Sequence, residues 1–313
     1  MTTAAFMLIA AAMVLYAVLA GADAGIGLWV LVTSRSASRR ELHHSLLAHF
    51  SPVWEVNGLF LIFAVTGMFA AFPQALGRLG TALIPLYLPV LLLIPARGAS
   101  YTLLHHRRER IQRSAVVLFG WASLGIGLLV GYTTLGLLAG LVRGSALDSA
   151  YFSSLASLAS VPFLVLGIAF AGATAAKGVR LTKAATWSGG AWLFTLPLYA
   201  YAVTRANPSL RHRVLGTEGA LILVGLVVAV AGIAIYRNRH GLGCALSAAG
   251  CVAIGLGFAA GALPYIAYPA IRIPPDASPS LRAYVVASLV GGPLLLAFLG
   301  VLYVMVEPQP GEA

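Results

Sequence analysis

The 313-residue chain is 60% hydrophobic and only 9% charged, whereas ordinary soluble domains are about 45–50% apolar and about 25% charged. Apolar runs of about 20 residues recur from end to end, which excludes a separate soluble domain and predicts a single transmembrane domain over residues 1–313. The net charge of +11 comes from basic residues scattered through the joints between these runs, so it does not indicate a nucleic-acid partner.

Nine apolar runs predict an all-α integral membrane protein with nine spans, whose two ends lie on opposite sides of the membrane. Lys and Arg number 12 in joints one, three, five and seven, against 7 in the alternate joints. Because basic joints stay in the cytoplasm, the N-terminus is expected outside and the C-terminus inside the cell. The predicted spans are 6–33, 48–72, 79–104, 115–141, 151–176, 186–204, 214–236, 242–268 and 283–305.

Ionisable side chains occur inside each of the first three spans. Span one contains Asp23 within GADAGIG, span two contains Glu55 within PVWEVN, and span three contains Arg97 within ARGASY. Such a residue at bilayer depth costs roughly 2.5–3.5 kcal/mol, so each is a candidate functional residue. All three lie about 7–10 residues from the cytoplasmic ends of their spans, or about 10–15 Å, which predicts one common layer.

A buried Arg beside two acids suggests proton chemistry. Arg97 would hold one carboxylate ionised as its partner, and the other acid, Glu55 or Asp23, would be left to exchange protons. Trp54 and Asn57 flank Glu55 and form the supporting polar cluster, in which either could orient the carboxylate or a water. The alternatives are that Arg97 is a structural pin for one acid, and that Trp54 and Asn57 make ordinary interhelical contacts.

The histidines bear on whether this chain could hold haem. Only His49 lies at the start of a span, and a lone boundary histidine is more often solvated than an axial ligand. No haem, metal or catalytic site is therefore expected in the chain. The other six fall in the joints: His43, His44, His105, His106, His212 and His240.

Short motifs follow one another along the chain: GADAGIG, PVWEVN with GMFAAFP, ARGASY, AFAGATAAKGVR, ALPYIAYP and SPSL. In this order, and with nine spans, the chain resembles subunit II of the cytochrome bd-type quinol oxidases. The resemblance implies two four-helix bundles plus one peripheral helix. Ala20 and Thr102 stand where family members often carry acids, so the chain resembles a divergent member.

The same resemblance implies a function within a complex. Quinol is oxidised and oxygen is reduced to water in the respiratory chain of the bacterial cytoplasmic (inner) membrane. The haem-bearing subunit I would hold haem b, haem d and the main quinol site, while this chain carries none. Small single-helix subunits, membrane lipids and quinone are further candidate partners. The acid at the Glu55 position is implicated in proton delivery from the cytoplasm, and Asp23 and Arg97 match the nearby polar cluster.

Two other functions remain open from the residues alone. A stand-alone proton-coupled secondary transporter would use the same acids, and it would need a midplane cavity with paired helix breaks. A purely structural membrane subunit would use them only for assembly.

Overall fold

The computed structural model describes residues 1–33, 50–104, 109–175, 181–236, 239–275 and 279–306, without the side chains of residues 50–56, 109, 217, 279, 295, 296 and 299–306. Ten α-helices dominate these residues, which confirms the all-α prediction. They are α1 (Thr2–Thr33), α2 (Phe50–Ala71), α3 (Pro73–Leu103), α4 (Glu109–Ala139), α5 (Leu155–Ala175), α6 (Thr182–Ala206), α7 (Pro208–Val214), α8 (Thr217–Tyr236), α9 (His240–Ala262) and α10 (Pro279–Val306).

Each predicted span coincides with one long helix, although some helix ends differ from the sequence-based bounds. Helix α3 begins at Pro73 rather than at 79, because proline fits the first turn, where its missing N–H is not needed. Helix α4 begins at Glu109 rather than at 115, since its first turns are polar and extend beyond the apolar run. Helix α9 ends at Ala262 rather than at 268, because Pro264 has no N–H to continue it.

Two β-hairpins, which the sequence did not predict, meet at one end of the helices. Strands β1 (Val142–Arg143) and β2 (Ala146–Leu147) pair antiparallel, with Gly144 supplying a φ of +66° between them. Strands β3 (Tyr265–Ala267) and β4 (Ile271–Arg272) form the second hairpin. A bridge between Val142 and Pro269 joins the two, so the α4–α5 and α9–α10 connections form one cap.

The helices pack as two groups of four with one peripheral helix. Helices α1 to α4 form the first group, and α5, α6, α8 and α9 form the second. Helix α1 also packs closely along α5, which joins the groups, while α10 lies against α2 and α1. This arrangement agrees with the fold that the family resemblance implied.

Apolar side chains cover much of the outer surface. Leu92, Phe194 and Phe298 are among the large hydrophobic residues that the chain leaves exposed. Within the described residues, six helices are long and apolar enough to cross a membrane (α1, α3, α4, α5, α8 and α9), and α2 contributes a shorter apolar stretch, Asn57–Ala71. A surface of this kind fits the hydrocarbon of a bilayer or a membrane-embedded partner.

Candidate functional site

Helices α1 and α3 bring Asp23 and Arg97 into direct contact inside the first helix group. The Arg97 guanidinium donates a hydrogen bond from Nη2 to Oδ1 of Asp23, and the two form a salt bridge. Both are well buried, with side-chain exposures of 9% for Arg97 and 4% for Asp23. A charge at this depth is tolerated when it is paired, so the two residues explain each other's burial.

Glycines around Asp23 let the neighbouring helices close over it. A Cβ on Gly25 would lie 2.2 Å from the carbonyl oxygen of Ile168 in α5, so the two backbones are in contact there. A Cβ on Gly27 would lie 2.2 Å from the side chain of Ser123 in α4. The GADAGIG sequence therefore combines an acid with the small residues that allow close helix packing around it.

Helix α4 places an aromatic ring against the Arg97 guanidinium and a buried hydroxyl beside Gly27. The Phe119 ring lies under the Arg97 guanidinium, 5.5 Å from its centroid, which stabilises the cation through the ring's negative face. Ser123, one turn further along α4, is 1% exposed, and its Oγ has no hydrogen-bond partner among the described residues. Its contact with Gly27 places this hydroxyl one helical turn from Asp23.

One close contact fixes how far α2 is shifted along the axis of α1. A Cβ on Gly67 would lie 2.9 Å from Cγ1 of Ile9, so the end of α2 packs beside the start of α1 and the helices are antiparallel. Counting back from Gly67 at 1.5 Å per residue puts the Glu55 backbone about 3 Å from the level of Asp23. Asn57 falls about 6 Å from that level, on the side away from the end of α1.

Asn57 and Tyr16 add polar groups on that side of the ion pair. Asn57 is 5% exposed, and its Oδ1 lacks a hydrogen-bond partner in the part of the chain that is described. Tyr16 is also buried, seven residues before Asp23 on the same face of α1. The polar region therefore extends from Asp23 toward the middle of α1.

Some of the predicted site residues come together here, whereas two others are described by their backbone alone. Asp23 and Arg97 are in contact, and Asn57 is buried nearby. The side chains of Trp54 and Glu55 are not described. Sequence reasoning missed three residues of this region, namely Tyr16, Phe119 and Ser123. The spacing of seven residues from Asp23 was a signal for Tyr16, whereas nothing in one sequence identifies α4 as the helix beside Arg97.

The described residues contain no group of three His, Cys, Asp or Glu side chains that could hold a metal ion. Two of the seven histidines are described: His212 lies in α7, and His240 begins α9 with its ring against Tyr236. The remaining histidines, at 43, 44, 49, 105 and 106, fall outside the described residues.

Comparisons with known proteins agree with this architecture. A family profile described as cytochrome bd terminal oxidase subunit II matches residues 1–306. Among solved structures, a chain of the bd oxidase from Geobacillus thermodenitrificans superimposes with a TM-score of 0.82 and is 19% identical, over 98% of each chain. At this identity the likeness shows a shared fold. No curated protein matches the sequence.

Proposed function

The chain belongs to the cytochrome bd terminal oxidase subunit II family, and on that premise we propose that it is the non-haem subunit of a quinol:oxygen oxidoreductase. It is a multi-pass protein of the bacterial cytoplasmic membrane. Its partner in the proposal is a haem-bearing subunit I, which this chain stabilises. Haem b and haem d held there would carry electrons from quinol to oxygen.

The second part of the proposal is that this chain supplies protons from the cytoplasm for oxygen reduction. Reducing oxygen to water consumes protons, and a path through the membrane needs titratable groups linked by hydroxyls or waters. The observation that carries the proposal is the buried Asp23–Arg97 pair, level with the backbone of Glu55. The basic joints favour the orientation in which this layer lies nearer the cytoplasmic face.

Each residue has a distinct role in the proposed path. Glu55 takes up and releases the proton, and Asp23 provides counter-charge to Arg97. The buried oxygens of Asn57 and Ser123 are suited to hold waters, because a buried polar atom without a protein partner normally bonds to one. The Tyr16 hydroxyl would extend the path toward the membrane interior.

The test is the oxygen consumption of the assembled complex with Glu55→Gln. Proton-transfer groups contribute typically 10²–10⁴-fold, and water can replace part of this, so turnover should fall at least about tenfold with haem content intact. The matched control is Glu218→Gln, because Glu218 pairs with Arg213 at a partly exposed site outside the buried layer. Wild-type turnover in Glu55→Gln would refute the proton role.

Membership in the oxidase family favours the oxidase over a stand-alone transporter. An absorption spectrum of the natively purified complex separates the two functions. Haem bands that co-purify with this chain support the oxidase subunit. A colourless preparation of the chain without a partner would contradict it, whatever the Glu55 variant does.

A further inference from the structure

A stripe of exposed residues runs along one face of α4, starting near its first turn. The spacing of three and four residues places the members on a single side of the helix. Two are arginines, and they come first, while the later members are apolar. The stripe consists of Arg110, Arg113, Ser114, Val117, Leu118 and Trp121.

Two adjoining open grooves follow this stripe. The larger, of about 480 Å³, is a shallow and wide-open surface on α4 alone, from Arg113 to Trp121, and the smaller, of about 300 Å³, includes Arg110 and is bordered on one side by Leu103 of α3. Both grooves are lined by Ser114 and Leu118, so they form one continuous surface. We call this surface the α4 groove.

The α4 groove is charged at one end and apolar along the rest of its length. Its charged end lies at the α3–α4 joint, which is the most basic of the eight joints by sequence. From Arg110 to Trp121 the groove runs about 16 Å, close to half of the roughly 30 Å hydrocarbon thickness of a bilayer. Trp121 is 61% exposed, and it presents a large apolar ring deep along the groove.

We propose that the α4 groove binds one anionic phospholipid of the cytoplasmic leaflet. The phosphate lies against Arg110 and Arg113, and an acyl chain follows Val117, Leu118 and Trp121. Arginine suits phosphate because its planar guanidinium donates two parallel hydrogen bonds. The leaflet follows from the orientation in the proposed function, whereas the binding itself does not depend on a proton path.

Charge complementarity favours a lipid over a membrane-embedded protein as the occupant. The centre of a protein interface is depleted in charge, whereas two exposed arginines beside an apolar track match a phosphate joined to acyl chains. Basic surfaces on the cytoplasmic side of membrane helices attract anionic headgroups with about 1 kcal/mol per Arg near the surface. That energy is about fivefold in affinity for each arginine.

The first test measures binding of phosphatidylglycerol and phosphatidylcholine to the delipidated detergent-purified complex by native mass spectrometry. Either Arg110→Gln or Arg113→Gln should weaken phosphatidylglycerol binding about fivefold, and the double variant about 30-fold. The control removes two exposed arginines of the other joints, with Arg78→Gln and Arg143→Gln together. The proposal would be overturned if the control pair weakened phosphatidylglycerol binding as much as the Arg110 and Arg113 variants do. It would also be overturned if the complex retained both lipids equally, or if inorganic phosphate alone displaced the bound phosphatidylglycerol.

The second test asks whether an acyl chain reaches Trp121. Phosphatidylglycerol brominated on its acyl chains should quench the fluorescence of the wild-type complex more than that of a Trp121→Phe complex. Identical quenching would show that lipid does not contact this side chain and would point to a protein partner covering the groove. Both tests measure lipid binding and not turnover. The lipid proposal can therefore fail while Glu55→Gln still slows turnover, and lipid can bind as proposed even if Glu55→Gln leaves turnover unchanged.

Discussion

Replacing Arg97 by methionine should strongly destabilise the complex. The substitution replaces the guanidinium by an apolar side chain of similar length. The Asp23 carboxylate is then buried without its partner. Removing one member of a buried ion pair typically costs about 3–5 kcal/mol, and the cation–π contact with Phe119 is lost as well. At about 2 °C per kcal/mol for a large domain, the melting temperature should fall by about 6–10 °C.

A double-mutant cycle separates the ion pair from other effects of the substitution. Asp23→Leu alone should destabilise by a similar amount, because it leaves the Arg97 charge without the same contact. The double variant with Asp23→Leu and Arg97→Met removes both charges, and an apolar replacement of a buried pair is often neutral. We therefore expect the double variant to be more stable than either single variant, with a coupling energy of at least about 2 kcal/mol.

Thermal unfolding of the purified complex, followed by its intrinsic fluorescence, provides the measurement. The control cycle uses Arg213 and Glu218, whose charged atoms lie 3.1 Å apart with side-chain exposures of 42% and 21%. An exposed pair is worth about 0–1 kcal/mol, so this cycle should move the melting temperature by no more than about 2 °C. If the stability losses of Asp23→Leu and Arg97→Met simply add up in the double variant, the two buried charges are not energetically coupled and the reasoning is refuted.

Two further predictions concern the surroundings of Asp23. Gly25→Ala should destabilise the complex by about 1–3 kcal/mol, because the added Cβ meets the α5 backbone. Gly21→Ala should be tolerated, since the nearest atom to its added Cβ lies 3.8 Å away. The melting temperatures of the two variants check this difference. Tyr16→Phe should slow oxygen consumption and change its pH profile without loss of haem if the hydroxyl extends the proton path. An exposed control, Tyr201→Phe, should leave both unchanged, and an unchanged pH profile in Tyr16→Phe would place Tyr16 outside the path.

The number and order of the long helices were predictable from hydropathy alone, because a bilayer demands apolar helices of about 20 residues. The ends were less predictable, since helices continue past the apolar run wherever their backbone groups can bond, as in the polar first turns of α4. The two hairpins were missed because each strand has only two or three residues. Strands this short show no periodicity in the sequence.

The candidate site was predictable only in part. Depth arithmetic put Asp23 and Arg97 in one layer, and the structure has them in contact. The position of Phe119 under the guanidinium depends on which face of α4 turns toward α3, and one sequence contains no information on such pairings. Ser123 was missed for the same reason, because an isolated serine in an apolar run is commonplace until its neighbours are known.

In the proposed proton path, the Asp23–Arg97 contact bears on which acid would exchange protons. Protonating Asp23 would remove a counter-charge from Arg97 inside the bundle, and loss of one partner of such a pair costs about 3–5 kcal/mol. As an activation energy this is roughly 10²–10⁴ in rate, so a group that must be protonated in every cycle is poorly placed in that role. In the proposed path the proton is carried instead by Glu55, whose backbone lies at about the same level on α2. Asp23→Asn should therefore lower the stability and yield of the complex, whereas Glu55→Gln should lower its turnover.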